Sequence, residues 1–112
     1  MQSDEVTLKW TKPNSNGADV TQYNIYIRNV TNNDTVGDWR KLEVIYDVSI
    51  HEYVVTLDKC QQYDLVVTAN NKYGESLKEQ HKIKRIRVLE GKVIRNIILL
   101  RVIYLTSSFL SK

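Results

Sequence analysis

The stretch CQQYDLVVTANNKYGES, residues 60–76, holds the chain's single cysteine, a tyrosine, an alternating apolar run and an asparagine- and glycine-containing loop. Its centre, YDLVVTA, sets Tyr63, Leu65, Val67 and Ala69 on one side, which is the period-2 signature of a strand. The loop NNKYG that follows has the residues that turns require. The cysteine and the tyrosine raise the question of chemistry; the alternation raises the question of fold.

Working outward, the same period recurs four times. VTLKW places Val6, Leu8 and Trp10 on one face, and VTQYNIYIRNV places Tyr23, Ile25 and Ile27 on one face and Gln22, Asn24, Tyr26 and Arg28 on a second, potentially wet one. WRKLEVI begins at Trp39 with Leu42 and Val44 in phase, and EYVVTL sets Tyr53, Val55 and Leu57 together. Turn-rich segments, TKPNSNGAD and TNNDTVGD, separate the first three runs. Around residues 80–89, Ile86 and Val88 mark a closing strand. Short strands at close intervals, with no helical period between them, predict an all-β, antiparallel two-sheet sandwich.

A length of 112 residues suits one domain with a modest core. The net charge of +3 is unevenly spread: residues 1–77 sum to −4 and residues 78–112 to +7. Scattered lysines on a solvated strand account for such a block, so no nucleic-acid partner is expected. One cysteine rules out an internal disulfide and a cysteine-rich zinc site. The N-terminus lacks the apolar core of a secretory signal.

Taken together, these residues resemble a fibronectin type III domain over residues 5–88. The match runs through Trp10, Pro13, Gly17, Tyr23 and Trp39, and is densest at Leu57, Tyr63, Leu65, Val67, Ala69, Asn71 and Gly74. The resemblance implies an immunoglobulin-like sandwich in which Tyr63, six residues after Leu57, buries its ring and turns its hydroxyl back to the preceding corner. Trp10 would supply bulk to a core with no disulfide. The family's first strand, strand A, has no counterpart ahead of Trp10. The domain is therefore expected over residues 1–89 as a truncated piece of a longer protein, with an open sheet edge beside Leu8 and Tyr53.

Catalysis finds no support. Cys60, His51 and His81 lie on separate loops without nucleophile or metal spacing, and no catalytic, cofactor or metal residue is assigned. His51 and Cys60 should sit at opposite ends of one strand, with Cys60 a partly exposed thiol at a turn. Asn29-Val30-Thr31 and Asn33-Asp34-Thr35 are glycosylation triplets, against roughly one expected by chance, so Asn29 and Asn33 are candidate acceptors. The resemblance brings the loops at 14–19, 47–51 and 70–75 to one pole. There Asn71, Lys72, Tyr73 and Glu75 form the candidate interaction loop, with Tyr73 as an aromatic anchor.

Residues 90–112 are dense in isoleucine and leucine and are read as a hydrophobic, basic tail outside the domain. Arg95 and Arg101 interrupt the apolar stretch 93–110 and disfavour membrane insertion. Membrane contact is thus expected only through flanking regions, and an element covering the open edge is a further reading of the tail. The resemblance implies a non-catalytic interaction or adhesion module of a multidomain cell-surface protein or receptor, extracellular and binding other proteins. The alternative is a structural spacer of an intracellular, muscle-filament-like protein, which would be cytoplasmic.

Overall fold

A computed structural model describes residues 3–13, 19–58, 60–78, 82–88 and 97–100. The described residues form eight strands: β1 Ser3–Trp10, β2 Gln22–Val30, β3 Arg40–Ile45, β4 Glu52–Asp58, β5 Gln61–Asn71, β6 Gly74–Glu75, β7 Lys84–Val88 and β8 Ile97–Leu100. They divide into two sheets. One has the order β4-β1-β8; the other runs β3-β2-β5-β6, with β7 also paired to β5. All pairings are antiparallel except that of β8 with β1, which is parallel.

The alternation seen in the sequence explains how the sheets face each other. Val6, Leu8, Trp10, Val55 and Leu57 from the first sheet join Tyr23, Ile25, Ile27, Leu65, Val67 and Ala69 from the second in one buried cluster. Tyr53 and Ile86 pack against it. A fully buried Leu- or Ile-sized side chain contributes about 1.5–3 kcal/mol, so this shared cluster is the main force joining the sheets. The result is an all-β fold with the arrangement of a β-sandwich.

One strand departs from simple alternation. The β2–β3 register shifts between Ile25 and Tyr26, where Ile25 faces Glu43 and Tyr26 faces Lys41, so Leu42 is the extra residue of a bulge. The bulge changes the phase of β3. Leu42 packs on the core together with Ile45, whereas Val44, expected in phase with Leu42, pairs with Asn24 and lies outside the core cluster.

The corner between β4 and β5 depends on two residues. Cys60 has a φ of 64°, the left-handed region that a non-glycine residue adopts at some cost, and its N–H donates to the Val88 carbonyl at 2.6 Å. The Tyr63 ring is buried, and its hydroxyl accepts a hydrogen bond from the Asp58 N–H at 3.2 Å. The crossing from one sheet to the other is thus pinned from within the core.

The parallel strand β8 lies in the segment read from sequence as a tail outside the domain. It pairs Thr7–Trp10 with Ile97–Leu100, on the side of β1 opposite β4. The edge that the resemblance leaves open is therefore occupied over half the length of β1. The rest of 90–112, including the interrupting Arg95 and Arg101, lies outside the described residues, as do loop residues 14–18 and His81.

Replacing Tyr63 with phenylalanine keeps the ring and removes the acceptor for the Asp58 N–H. Urea denaturation of Tyr63→Phe should show a loss of about 1–3 kcal/mol; an unchanged midpoint would mean that the corner does not need the hydroxyl.

Candidate functional site

Three connections meet at one end of the sandwich. β1 ends where β4 begins, with Lys9 opposite Glu52, and β2 begins where β3 and β5 end, with Tyr23 opposite both Ile45 and Ala69. Ring contacts link the two sheets at this end: Trp10 and Tyr23 have centroids 5.5 Å apart, and Tyr23 and His51 are 5.8 Å apart, edge to face. The connections after β1, β3 and β5 therefore share a pole. Gly37, Cys60 and the end of β7 belong to the other end.

Beneath the pole, the three rings carry buried polar atoms with no hydrogen-bond partner among the described residues: Trp10 Nε1, the Tyr23 hydroxyl and His51 Nε2. Burial also raises the Tyr23 pKa above its ordinary value. His51 and Cys60 sit beyond opposite ends of β4. Among the described residues, no three His, Cys, Asp or Glu gather as a metal site.

Three of the six exposed large apolar side chains among the described residues lie in connections at this pole: Tyr46, Ile50 and Tyr73. Tyr46 is 73% exposed. Of the others, Val36 lies at the far end, Val54 on β4, and Leu77 after β6, where the chain runs back along β5. Tyr73 is the one of these that the sequence reading singles out. Tyr46, Ile50 and Leu77 were not singled out; their signal is an apolar residue inside turn chemistry and out of phase with any strand.

The candidate interaction loop divides into a fixed part and a presented part. Asn71 is buried, and its Oδ1 accepts from the Tyr73 N–H at 2.7 Å. Gly74 has a φ of 129°; a Cβ there would meet nothing within 4 Å, so backbone conformation rather than space favours glycine. Lys72 places its ammonium 5.4 Å from the Tyr73 ring centre, and both residues are exposed. Glu75, by contrast, turns inward. Its Oε2 accepts from the Thr68 hydroxyl, from the Tyr26 hydroxyl at 2.7 Å and from Asn24 Nδ2 at 3.3 Å.

These bonds occupy the face of β2 that the sequence suggested was wet. Asn24 is 1% and Tyr26 8% exposed. Asn24 Nδ2 also donates to Thr68 and to Asn70 Oδ1, and Gln22 donates to Asn24. Lys78 lies 3.9 Å from the Tyr26 ring centre. Burial first, and then the Glu75 contact, push the Tyr26 hydroxyl up to about 12. Ser76 closes the base of the loop: its N–H donates to the Ala69 carbonyl, while its hydroxyl accepts from the Ala69 N–H. The loop is thereby anchored on a rigid polar platform, with Lys72 and Tyr73 projecting.

Further along that face, Asp64 is 1% exposed between two arginines. Arg28 Nε donates at 2.9 Å and Arg85 Nε at 2.8 Å. The Arg28 guanidinium also lies 4.2 Å over the Trp39 ring, so Trp39 serves this outer ladder. Arg87 donates to Gln62, which in turn donates to the Thr31 carbonyl. Burial pushes the Asp64 carboxyl up, but hydrogen bonds and charge from Arg85 and Arg28 together hold it below the usual carboxylate range. For Glu75, burial likewise raises, yet Thr68, Tyr26, Lys78 and Lys41 outweigh it.

The two candidate glycan acceptors are both exposed, on β2 and in the turn after it. Asn29 Oδ1 accepts from Arg40 at 3.0 Å, and Asn33 Oδ1 accepts from the Thr31 and Thr35 hydroxyls. Each engages its neighbours through the carbonyl oxygen. Comparison with models of known protein families gave no match, and neither the curated proteins nor the solved structures gave a significant one.

Two measurements test the polar and aromatic groups. Tyr23→Phe removes an unpaired buried hydroxyl, so its stability should equal or exceed that of the parent, opposite to Tyr63→Phe; a loss above about 1 kcal/mol would show that the hydroxyl is bonded. Asp64→Ala leaves two arginines without their shared carboxylate and should cost about 3 kcal/mol, at the lower end for a buried pair because Arg85 reaches solvent. A depressed folded pKa contributes stability that is present above the unfolded value near 4 and lost as pH falls through the folded one. Acid titration of Asp64→Asn should accordingly show a shallower loss below about pH 4 than the parent chain.

Proposed function

We propose that the chain is a non-catalytic protein-interaction module of fibronectin type III type, which binds other proteins through the pole formed by the connections after β1, β3 and β5. The observation that carries the reading is the exposure of Tyr46, Ile50 and Tyr73 in connections at that pole. An exposed cluster of large apolar and aromatic side chains, set on a rigid scaffold, is the usual composition of a recognition surface. The topology supports the family reading: a β4-β1 pair faces β3-β2-β5-β7, as strands B and E face C′, C, F and G in that family. The Tyr63 to Asp58 bond is also the corner that the family uses.

Pole binding is testable by substitution. Tyr73→Ser, and Tyr46→Ser with Ile50→Ser, should each lower binding to a displayed panel of cell-surface ectodomains by at least about tenfold. Val36→Ser with Val54→Ser should leave binding unchanged. Uniform loss across the three variants, or no loss in any, overturns the reading.

An adhesion or receptor module would reside outside the cell, where Asn29 and Asn33 are accessible acceptors. Expression through a eukaryotic secretory pathway should give a glycosidase-sensitive mass that Asn29→Gln and Asn33→Gln together abolish. A chain of unmodified mass would count against extracellular residence.

A further inference from the structure

The sequence KIKRIR, residues 82–87, sets four cations in six positions, the density of patches that bind polyanions. Ile86 turns to the core, so Arg85 and Arg87 fall together on the outer face of β7. There they meet cations from neighbouring strands. The register puts Arg28, Asp64 and Arg85 in one row across β2, β5 and β7, and Gln62 and Arg87 in a row about 7 Å further along. Lys41 of β3 and Lys78 lie 5.6 Å and 3.9 Å from the Tyr26 ring centre, two residues along β2 from Arg28. Five cations thus share this face. Two carboxylates beside them are turned inward: Asp64 is buried between Arg28 and Arg85, and Glu75 accepts from Thr68 and Tyr26. Arg87 is held by a neutral amide, with Nε and Nη2 donating to Gln62 Oε1, which leaves its charge in place. At the rim, the Asp34 carboxylate, 72% exposed, lies 3.4 Å from Arg85 Nη1.

We infer that the outer face of β3-β2-β5-β7 binds a sulfated polysaccharide, whose sulfate groups are taken by Arg28, Lys41, Lys78, Arg85 and Arg87. A sulfate presents several oxygens of one tetrahedral anion, which suits the planar fork of a guanidinium. The forks are already placed: Asp64 holds Arg28 and Arg85, Gln62 holds Arg87, and Arg28 rests on the Trp39 ring. Little side-chain freedom is therefore lost on binding.

Two features select a polysaccharide among the polyanions and acidic partners. Single-stranded nucleic acid stacks its bases on open aromatic faces, but here Arg28 lies 4.2 Å over the Trp39 ring and Lys78 3.9 Å over that of Tyr26. A protein partner seats large apolar or aromatic anchors, and none of the six exposed large apolar side chains among the described residues belongs to β2, β3, β5 or β7. What the face offers is fixed positive charge, over a strip about 14 Å along the strands and about 14 Å across them. A linear chain dense in sulfate complements it. The strip lies on the face of a sheet rather than at the pole, and neither surface needs the other.

The test is calorimetric titration of the full chain, produced in bacteria so that Asn29 and Asn33 carry no glycan, with a heparin octasaccharide. At about 0.15 M salt, exposed charges more than about 8 Å apart are screened, so only a close array binds. The parent chain should bind with a Kd below about 100 μM. Lys41→Gln with Arg87→Gln should weaken binding at least about tenfold, whereas Lys9→Gln with Lys12→Gln, an equal change of charge at exposed or half-buried positions elsewhere, should alter it less than about twofold. Asp34→Asn removes the exposed carboxylate and keeps a residue type that tolerates the φ of 67° there. It should tighten binding about two- to fivefold, a gain that a damaged fold does not give. The desulfated octasaccharide, an oligonucleotide of equal charge and phosphatidylserine vesicles should each bind at least about tenfold more weakly than heparin. A parent chain that does not bind, equal losses in the two double variants, an Asp34→Asn chain no tighter than the parent, or a competitor as tight as heparin overturns the inference.

Discussion

β5 is buried on both faces. From Gln62 to Ala69 every residue of it is buried, although every second side chain points away from the apolar core. A strand in that position cannot leave a polar group to water, so each outer residue must find its partner within the protein. Gln62 takes Arg87, Asp64 takes Arg28 and Arg85, and Thr68 takes Asn24 and Glu75. The neighbouring strands and the loop after β5 are held in place by these obligations as much as by the core.

The same constraint connects the scaffold to the presented surface. Glu75 sits one residue beyond Gly74, so its bonds to the outer face of β2 and β5 determine where Lys72 and Tyr73 project. On the inner side, the Trp10, Tyr23 and His51 rings stack beneath the pole with unpaired polar atoms. One side of the pole therefore rests on fully satisfied hydrogen bonds and the other on aromatic packing. This division would suit the proposed binding surface, which must keep its shape while its contact residues remain available.

Much of the inner architecture was legible in the sequence because it rests on strict alternation. Tyr23, Ile25 and Ile27, and Leu65, Val67 and Ala69, were assigned to the core from period alone, and the structure buries all six. Val44 was misassigned because a bulge of one residue reverses phase, and local composition does not announce a bulge. Asn24 and Tyr26 looked solvated because polarity was read without their partners. Those partners, Thr68 and Glu75, lie more than forty residues away. β8 was the least legible element: IILL occurs in a nearly continuous apolar run without a period, and its assignment depends on a parallel neighbour at the opposite end of the chain. At the pole, Tyr73 was singled out through its turn, whereas the exposed Tyr46 and Ile50 take their place only once the connections are brought together.

The pairing of β8 with β1 also has a consequence in time. During synthesis β1 leaves the ribosome before any of its neighbours, and it waits for β4 on one side and for β8 on the other. About ninety residues separate Thr7 from Ile97, and at about 5–20 residues/s their translation takes on the order of 5–20 s. Throughout that interval β1 has at most one of these two flanks covered. The growing chain would need a holding factor, or fast docking of β4, to keep the Leu8 and Trp10 surface from other nascent chains.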